Sequence, residues 1–294
     1  MIKIIMILIL NLSLISSIEA GIHKEAGITG AQFLEIAIGA RPCSMGGAFC
    51  AIADDASAIY WNPAGLGQIT EKEFYLMHTE WFQDINCEFI GFVQPLEEEL
   101  GAIGLGIFLL GIDDLKGYDS SGNPTIEFGA VDRFIALSFA QHRDKLLIGV
   151  GVKFLHQEIA HKKADSTAFD IGILYKAYPC LTFGGVLQNI GKGMKFDSIE
   201  GELPLKAVFG TGYRVNPRLL LSVDINKSID DHIRLNTGLE YQPLKPLFLR
   251  FGYNQLAGIT GGMGFSRNGV FLDYAFVPYG ELGNTQRVSL RFKF

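Results

Sequence analysis

Residues 285–294 read T-Q-R-V-S-L-R-F-K-F. Val288, Leu290, Phe292 and Phe294 fall on one face, and Arg287, Ser289, Arg291 and Lys293 on the other. A strict two-residue period describes a strand with one apolar and one polar side. Left as a free edge in water, such a strand invites aggregation. Closed into a barrel with its apolar face in hydrocarbon, it is stable. A closing aromatic such as Phe294 then suits the signal by which barrel assembly machinery recognises its substrates.

The same period recurs along the chain. Ile233, Leu235, Leu239 and Tyr241 alternate with Arg234, Asn236, Gly238 and Glu240. Leu219, Leu221, Val223 and Ile225 alternate with Ser222, Asp224 and Asn226, and Leu247, Leu249, Phe251 and Tyr253 with Arg250, Gly252 and Asn254. Turn residues divide residues 73–294 into fourteen strands: 73–82, 86–95, 100–112, 126–141, 145–158, 164–176, 180–190, 204–215, 218–227, 232–242, 246–255, 258–266, 270–278 and 285–294. Alternation alone fits a sandwich in water as well as a barrel in lipid. Connection lengths separate the two. Tight turns at 96–99, 142–144, 177–179, 216–217, 243–245 and 267–269 alternate with a second set that includes the long connections 113–125, 159–163, 191–203 and 279–284. Membrane barrels have short turns on one side and longer loops on the other. Strands of about ten residues at ~3.3 Å, tilted about 40°, cross an apolar band of about 25 Å. The outward face is read as running from Tyr75 to Phe294. The expected fold is an all-β, membrane-spanning, antiparallel up-and-down barrel of about 14 strands.

At the other end, Lys3 precedes an apolar run from Ile4 to Leu10, fading by Ile15, and small residues lead to Ala20. This predicts a signal peptide over 1–20, cut after Ala20 and marking the chain for export. Its apolar run is short of the roughly 20 residues of a spanning helix. The remaining chain is rich in Gly (35), Phe (22) and Tyr (10), a barrel-like composition. A net charge of −6 argues against nucleic acid as a partner. Cys43, Cys50, Cys87 and Cys180 are too scattered for a zinc site, and Cys43 and Cys50 are either a pair or two free thiols. The six histidines lack metal-ligand spacing, so no metal or cofactor is expected. An enzyme is not expected either: there is no G-x-S-x-G elbow, and His78 with Asp84 is the nearest catalytic pairing. Glu97-Glu98-Glu99 reads as a solvated turn.

Residues 21–72 do not read as membrane strands. From Gly39 to Leu66 they run G-A-R-P-C-S-M-G-G-A-F-C-A-I-A-D-D-A-S-A-I-Y-W-N-P-A-G-L. Asp54 and Asp55 are placed to start a helix over Ala56–Trp61, which Pro63 ends. About 50 such residues have too little core to stand alone, but inside a barrel they would have one.

This run, with Gly46, Gly47, Asp54, Asp55, Trp61, Asn62, Pro63 and Ala64 at its centre, resembles the start of the PorV/PorQ family, relatives of the FadL-like outer-membrane proteins. The resemblance implies a fourteen-stranded barrel, 73–294, in a Gram-negative outer membrane, with a plug or hatch, 21–72, in its lumen. It further implies one of two roles. The barrel binds and passes a fatty-acid-like or other hydrophobic ligand, released sideways into outer-membrane lipid; or it serves type IX secretion, scaffolding or shuttling secretion-system proteins at the surface. Within the first role, a greasy pocket is expected near Phe33, Leu34, Phe49, Tyr60, Trp61, Phe248 and Phe271. Asn62 is a candidate latch between plug and wall. Arg234, Glu240, Arg250, Asp273, Arg287 and Arg291 are expected to line the lumen.

Overall fold

The computed structural model describes residues 26–97, 100–160, 162–196 and 199–294. The expected signal peptide and its cut site lie outside the described residues. Sixteen strands follow in order: β1 (Glu73–Glu80), β2 (Asn86–Pro95), β3 (Ala102–Leu115), β4 (Phe128–Arg143), β5 (Leu146–Ile159), β6 (Lys162–Tyr178), β7 (Leu181–Gly191), β8 (Met194–Phe196), β9 (Ile199–Gly201), β10 (Lys206–Asn216), β11 (Leu219–Ser228), β12 (Arg234–Leu244), β13 (Leu247–Asn254), β14 (Gly258–Arg267), β15 (Val270–Pro278) and β16 (Asn284–Lys293).

Fourteen of these form one closed antiparallel barrel, sealed where β1 pairs with β16 from Glu73↔Lys293 to Glu80↔Gln286. The fourteen segments marked by alternation are these fourteen strands, with bounds displaced by up to three residues. The short β8–β9 hairpin was not expected. It sits in the 191–203 connection, where Gly193 and Gly201 let the backbone double back closely.

Register explains the two faces. On β16, Arg287, Ser289 and Arg291 are buried while Val288 is 43% exposed. Exposed Ile103, Leu105, Ile107 and Leu109 mark the outer side of β3, and Ile171 and Ile173 that of β6. A wide apolar exterior around a closed ring leaves no unpaired strand edge and is what hydrocarbon solvates. One reading needs correction. Tyr75 faces inward at 1% exposure, because β1 alternates with Glu73, Tyr75 and Met77 inside and His78 and Glu80 outside.

The lumen has two characters. On β1 to β4 its wall is rich in aromatics, with Tyr75, Phe89, Phe108 and Phe134 buried. On β11 to β16 it carries Asp224, Glu240, Arg250, Asp273, Arg287 and Arg291, all buried. Residues 29–69 contact strands on all sides of the ring. Glycines on the inner wall make room. A Cβ at Gly104 would lie 2.8 Å from Ile59 Cγ1, and one at Gly149 2.2 Å from the Ala64 nitrogen.

Candidate functional site

The N-terminal segment is built from short turns because its small residues must follow the wall. Gly46 (φ +67°) and Gly47 (φ +75°) occupy left-handed conformations that other residues resist. Gly46 also touches the wall: its N–H donates to Thr260 Oγ1 at 3.1 Å and its carbonyl accepts from Asn254 Nδ2 at 3.0 Å. A little further on, Asp224 Oδ2 accepts from the Phe49 and Cys50 N–H groups, each at 2.8 Å.

Asp54 and Asp55 do not start a helix at Ala56. The helix covers Ala58–Trp61, and its N-cap Ser57 makes no side-chain cap. Asp55 Oδ1 still accepts from the Ser57 N–H at 3.0 Å, at the foot of that helix, while both aspartates also turn toward Arg41, which lies in the short helix Ala40–Ser44. Arg41 Nη1 meets Asp55 Oδ2 at 3.2 Å and also Asp54 Oδ1. Arg41 Nε and Nη2 grip both oxygens of Glu240 at 2.8 and 3.1 Å. The chain of charges continues into the wall: Arg250 Nε donates to Glu240 at 2.7 Å, and its Nη1 to Asp273 at 2.7 Å. Burial disfavours the charged form of Asp55, yet Arg291 and Arg41 outweigh it and hold the carboxyl below its usual range. Sequence reasoning named every member of this network except Arg41, which sat within the quoted motif without a role.

Asn62 is wholly buried. Its Nδ2 donates to the Cys50 carbonyl at 2.9 Å and to the Ile173 carbonyl of β6 at 3.2 Å, and its Oδ1 accepts from Ala64 N–H at 3.1 Å. One amide therefore ties the turn at Cys50, the helical turn Pro63–Gln68 and the barrel wall together. Pro63 and Ala64 press against Gly149 and Gly172.

The seven residues expected to form a greasy pocket divide. Phe33 lies among Phe108 and Phe134, with centroids 6.2 and 6.5 Å away, and Leu34 is buried beside it. Tyr60 Oη donates to the Leu34 carbonyl at 3.1 Å. Trp61 packs edge-on to Phe49 and Tyr60. These five share one packed cluster. Phe248 and Phe271 stand apart from it, under Arg250 and Arg291 respectively. A cavity of about 450 Å3 against the N-terminal segment takes only Tyr60 and Trp61 from the seven. The rest of its lining is largely polar and includes Gln188, Asn226, Asn236 and Arg287. It lies towards the end of the barrel where residues 229–233, 255–257 and 279–283 connect strands. Periodicity marked the wall residues as inward but carried no sign that a space would remain among them.

All four cysteines are free; Cys43, Cys50 and Cys87 are buried and Cys180 is exposed in a turn. Burial pushes the Cys43 and Cys50 thiols up, further suppressing thiolate. A maleimide is therefore expected to label one thiol in the folded protein and four after denaturation. Labelling of Cys43 or Cys50 in the folded state would contradict this packing. Among the described residues no cluster has the make-up of a metal site. His78 Nδ1 faces Glu88 at 2.6 Å.

With this geometry in place, comparison with known proteins becomes informative. The sequence profile of an uncharacterised protein family (UPF0164) matches residues 12–110. A UPF0164 protein of Treponema pallidum is 28% identical over 182 residues, covering 55% of this chain and 44% of that protein. The match thus spans less than half the length of that relative. Among solved structures, the fold is similar to the Ralstonia pickettii toluene transporter TbuX (TM-score 0.64, 16% identity, 87% of this chain and 98% of that one). It is also similar to the P. putida toluene transporter TodX (0.64, 12%, 87% and 98%). A Pseudomonas aeruginosa FadL homologue scores 0.51 at 13% identity, with 85% and 96% covered. The fold is that of the FadL-type barrels.

Proposed function

We propose that this chain is an outer-membrane channel that binds small hydrophobic or amphipathic molecules and passes them through its wall, without catalysis. The observation that carries the reading is the cavity of about 450 Å3 between the N-terminal segment and the barrel wall. The apolar exterior supports placement in a bilayer. The likeness to two toluene transporters supports the ligand class.

In this reading residues 21–72 are a plug, and open diffusion of water-soluble solutes is blocked. A way out lies in the wall. β7 pairs with β6 as far as Gly191, but its pairing with β10 stops at Gln188↔Lys206. Ile190, Leu203, Leu205 and Ile229, together with Asn189, Glu200 and Glu202, line the space where that ladder ends, an amphipathic opening in the wall. At the bulge behind it, Lys153 Nζ meets Asp170 Oδ2 at 2.7 Å and Asn189 Oδ1 at 2.9 Å, which stiffens the wall's inner side. The cavity, the Asn62 tie and the ladder break are the parts of a route, and the motif residues Gly46, Gly47, Asp54, Asp55, Trp61, Asn62, Pro63 and Ala64 hold the plug across it.

Uptake of radiolabelled toluene by cells of an outer-membrane host, with and without the barrel, tests the reading. Faster uptake with the barrel, and no added permeability to sugars, is expected; equal uptake would sink it. Asn62→Ala is expected to cost about 1–3 kcal/mol by leaving two buried carbonyls short of a donor, and to raise leakage of a bulky antibiotic several-fold. Unchanged leakage and uptake would remove Asn62 as a latch.

A further inference from the structure

The two ends of the barrel carry opposite charge. The long connections 116–127, 192–205, 229–233 and 279–283 hold eight acids against three lysines. At the other end, the tight turns and the strand tips that flank them reverse the balance. Residues 142–146, 214–219, 242–247 and 266–270 hold Arg143, Lys145, Arg214, Arg218, Lys245 and Arg267, against one acid, Asp144. All six cations are exposed. Among the described residues none of the six forms an ion pair, and Lys145 Nζ reaches the Ala177 carbonyl at 3.4 Å. The rim that bears them is tied together, because each tight turn accepts a backbone hydrogen bond from the strand beside it. Lys145 accepts from Lys176 at 2.8 Å, Arg218 from Gln242 at 2.8 Å and Pro246 from Ser266 at 3.0 Å. The turn between β2 and β3 departs from this charge pattern, with Glu97-Glu98-Glu99.

These cations adjoin the outward apolar surface. On β4 the outward row runs Ile135, Leu137, Phe139, Gln141 and Arg143, and its three apolar members are exposed. On β14 the outward row ends Met263, Phe265, Arg267, again with exposed apolar members. Alternate residues of a strand share one face, so Arg143 and Arg267 terminate rows that hydrocarbon covers. Tyrosines mark the same level. Exposed Tyr175 pairs with Leu146, next to Lys145, and exposed Tyr241 pairs with Leu219, next to Arg218. Tyrosine gathers where the apolar band of a membrane gives way to water. A long cationic side chain at that boundary lays its stem along apolar surface and its charge among the headgroups. The complement of a row of such charges is a leaflet with negative lipids in it.

We propose that the tight-turn rim, along the arc from β4 to β15, binds the headgroups of anionic phospholipids and gathers them around the barrel. The Glu97-Glu98-Glu99 sector repels the same lipids, so the gathered ring is incomplete there. The occupant is a lipid because the cations are spread along a membrane boundary, one or two to each turn, and do not converge on a pocket. Short turns of membrane barrels face the periplasm, which makes the periplasmic leaflet the one that is sorted. The acidic connections at the opposite end repel negative lipids and sharpen the difference between leaflets. The inference rests on the barrel spanning a bilayer, as in the proposed function, and is independent of what the barrel carries. Lipid preference without toluene uptake sinks the channel and keeps the rim, and the converse result does the reverse.

The purified barrel is reconstituted in phosphatidylcholine vesicles with a trace of spin-labelled lipid. The label is carried by phosphatidylglycerol or by phosphatidylcholine with the same acyl chains, and the immobilised fraction of each is read by electron paramagnetic resonance. Phosphatidylglycerol is expected to be retained at the barrel at least about threefold more. The preference is expected to fall toward equality in about 1 M salt, where the Debye length shrinks to about 3 Å. Arg143→Gln, Arg218→Gln, Lys245→Gln and Arg267→Gln, combined, are expected to cut the preference by about half or more. Lys163→Gln with Lys195→Gln, at the opposite end, is expected to leave it unchanged. Equal retention of the two lipids by the wild type overturns the proposal, as does an undiminished preference in a folded fourfold variant. Equal losses in the two variants overturn it in favour of an effect of net charge. Erasure by inorganic phosphate at matched ionic strength overturns it in favour of a free-anion site. Cation-dependent sedimentation with peptidoglycan sacculi, without lipid preference, overturns it in favour of a cell-wall contact. If the fourfold variant does not fold, the wild-type lipid, salt and phosphate comparisons decide alone.

Discussion

Arg41→Met lowers the stability of the folded barrel by about 3–5 kcal/mol, the expected cost of removing one partner from a buried ionic cluster. The loss is large because Arg41 serves three carboxylates at once: Asp54, Asp55 and Glu240. Of these, Glu240 retains Arg250 and Asp55 retains the more distant Arg291, but Asp54 loses its ion pair. Methionine keeps most of the side-chain volume, so the effect reports charge and hydrogen bonding more than a void. The measurement is the temperature at which the barrel loses its compact mobility on an unboiled gel, together with antibiotic leakage, which should rise as the segment loosens. Adding Glu240→Gln to Arg41→Met should cost less than the sum of the single changes. An Arg41→Met barrel as stable and as tight as the wild type would show that the cluster contributes nothing. Acid acts on the same cluster. The lowered pKa of Asp55 means its contribution is complete above about pH 4, its unfolded value, and is lost as pH falls through the folded value.

Gly252→Val separates the barrel from its contents. A Cβ at this position would lie 2.1 Å from the Gly46 nitrogen and 2.3 Å from the Met45 carbonyl carbon. Both are backbone atoms, which cannot swing aside as a side chain does. Valine favours strands, so the wall itself accepts the change. The overpacking, worth about 1–3 kcal/mol or more, therefore falls on the segment near residues 45–46. The expected result is a barrel that still folds, with Cys43 and Cys50 newly open to maleimide. Gly111→Val is the control, since a Cβ there meets nothing within 4 Å. Continued protection of Cys43 and Cys50 in Gly252→Val would mean that the segment does not depend on this contact.

The barrel was legible because its period-two signal is imposed by two solvents at once. Hydrocarbon outside demanded Val288 and Ile225; the filled interior accepted Arg287 and Asp224. The signal fades where both faces are apolar. Ile103–Ile112 gave no alternation of polarity, because its inward positions hold Gly104, Gly106 and Phe108 against the N-terminal segment. Tyr75 was misplaced for a related reason: both faces of β1 mix apolar and polar residues, with Glu73, Tyr75, Met77 and Thr79 inside and Phe74, Leu76, His78 and Glu80 outside. The candidate site was legible only as a list of inward residues. Glu240, Arg250 and Asp273 could be named as lining, but their convergence on Arg41 depends on where a turn-rich segment crosses the ring. No local period encodes that crossing. The helix expected from Ala56 starts at Ala58 instead, because Asp55 Oδ1 takes the Ser57 N–H and hydroxyl two residues on while Oδ2 turns to Arg41.

A ring that encloses part of its own chain sets the pace of assembly. Residues 29–69 bond to strands as far apart in the chain as β6 and β14, yet the seam between β1 and β16 joins the two ends of the sheet. The segment and the seam thus draw on the same closed sheet, and both rest on contacts between residues far apart in sequence, the kind whose loop-closure entropy makes folding slow.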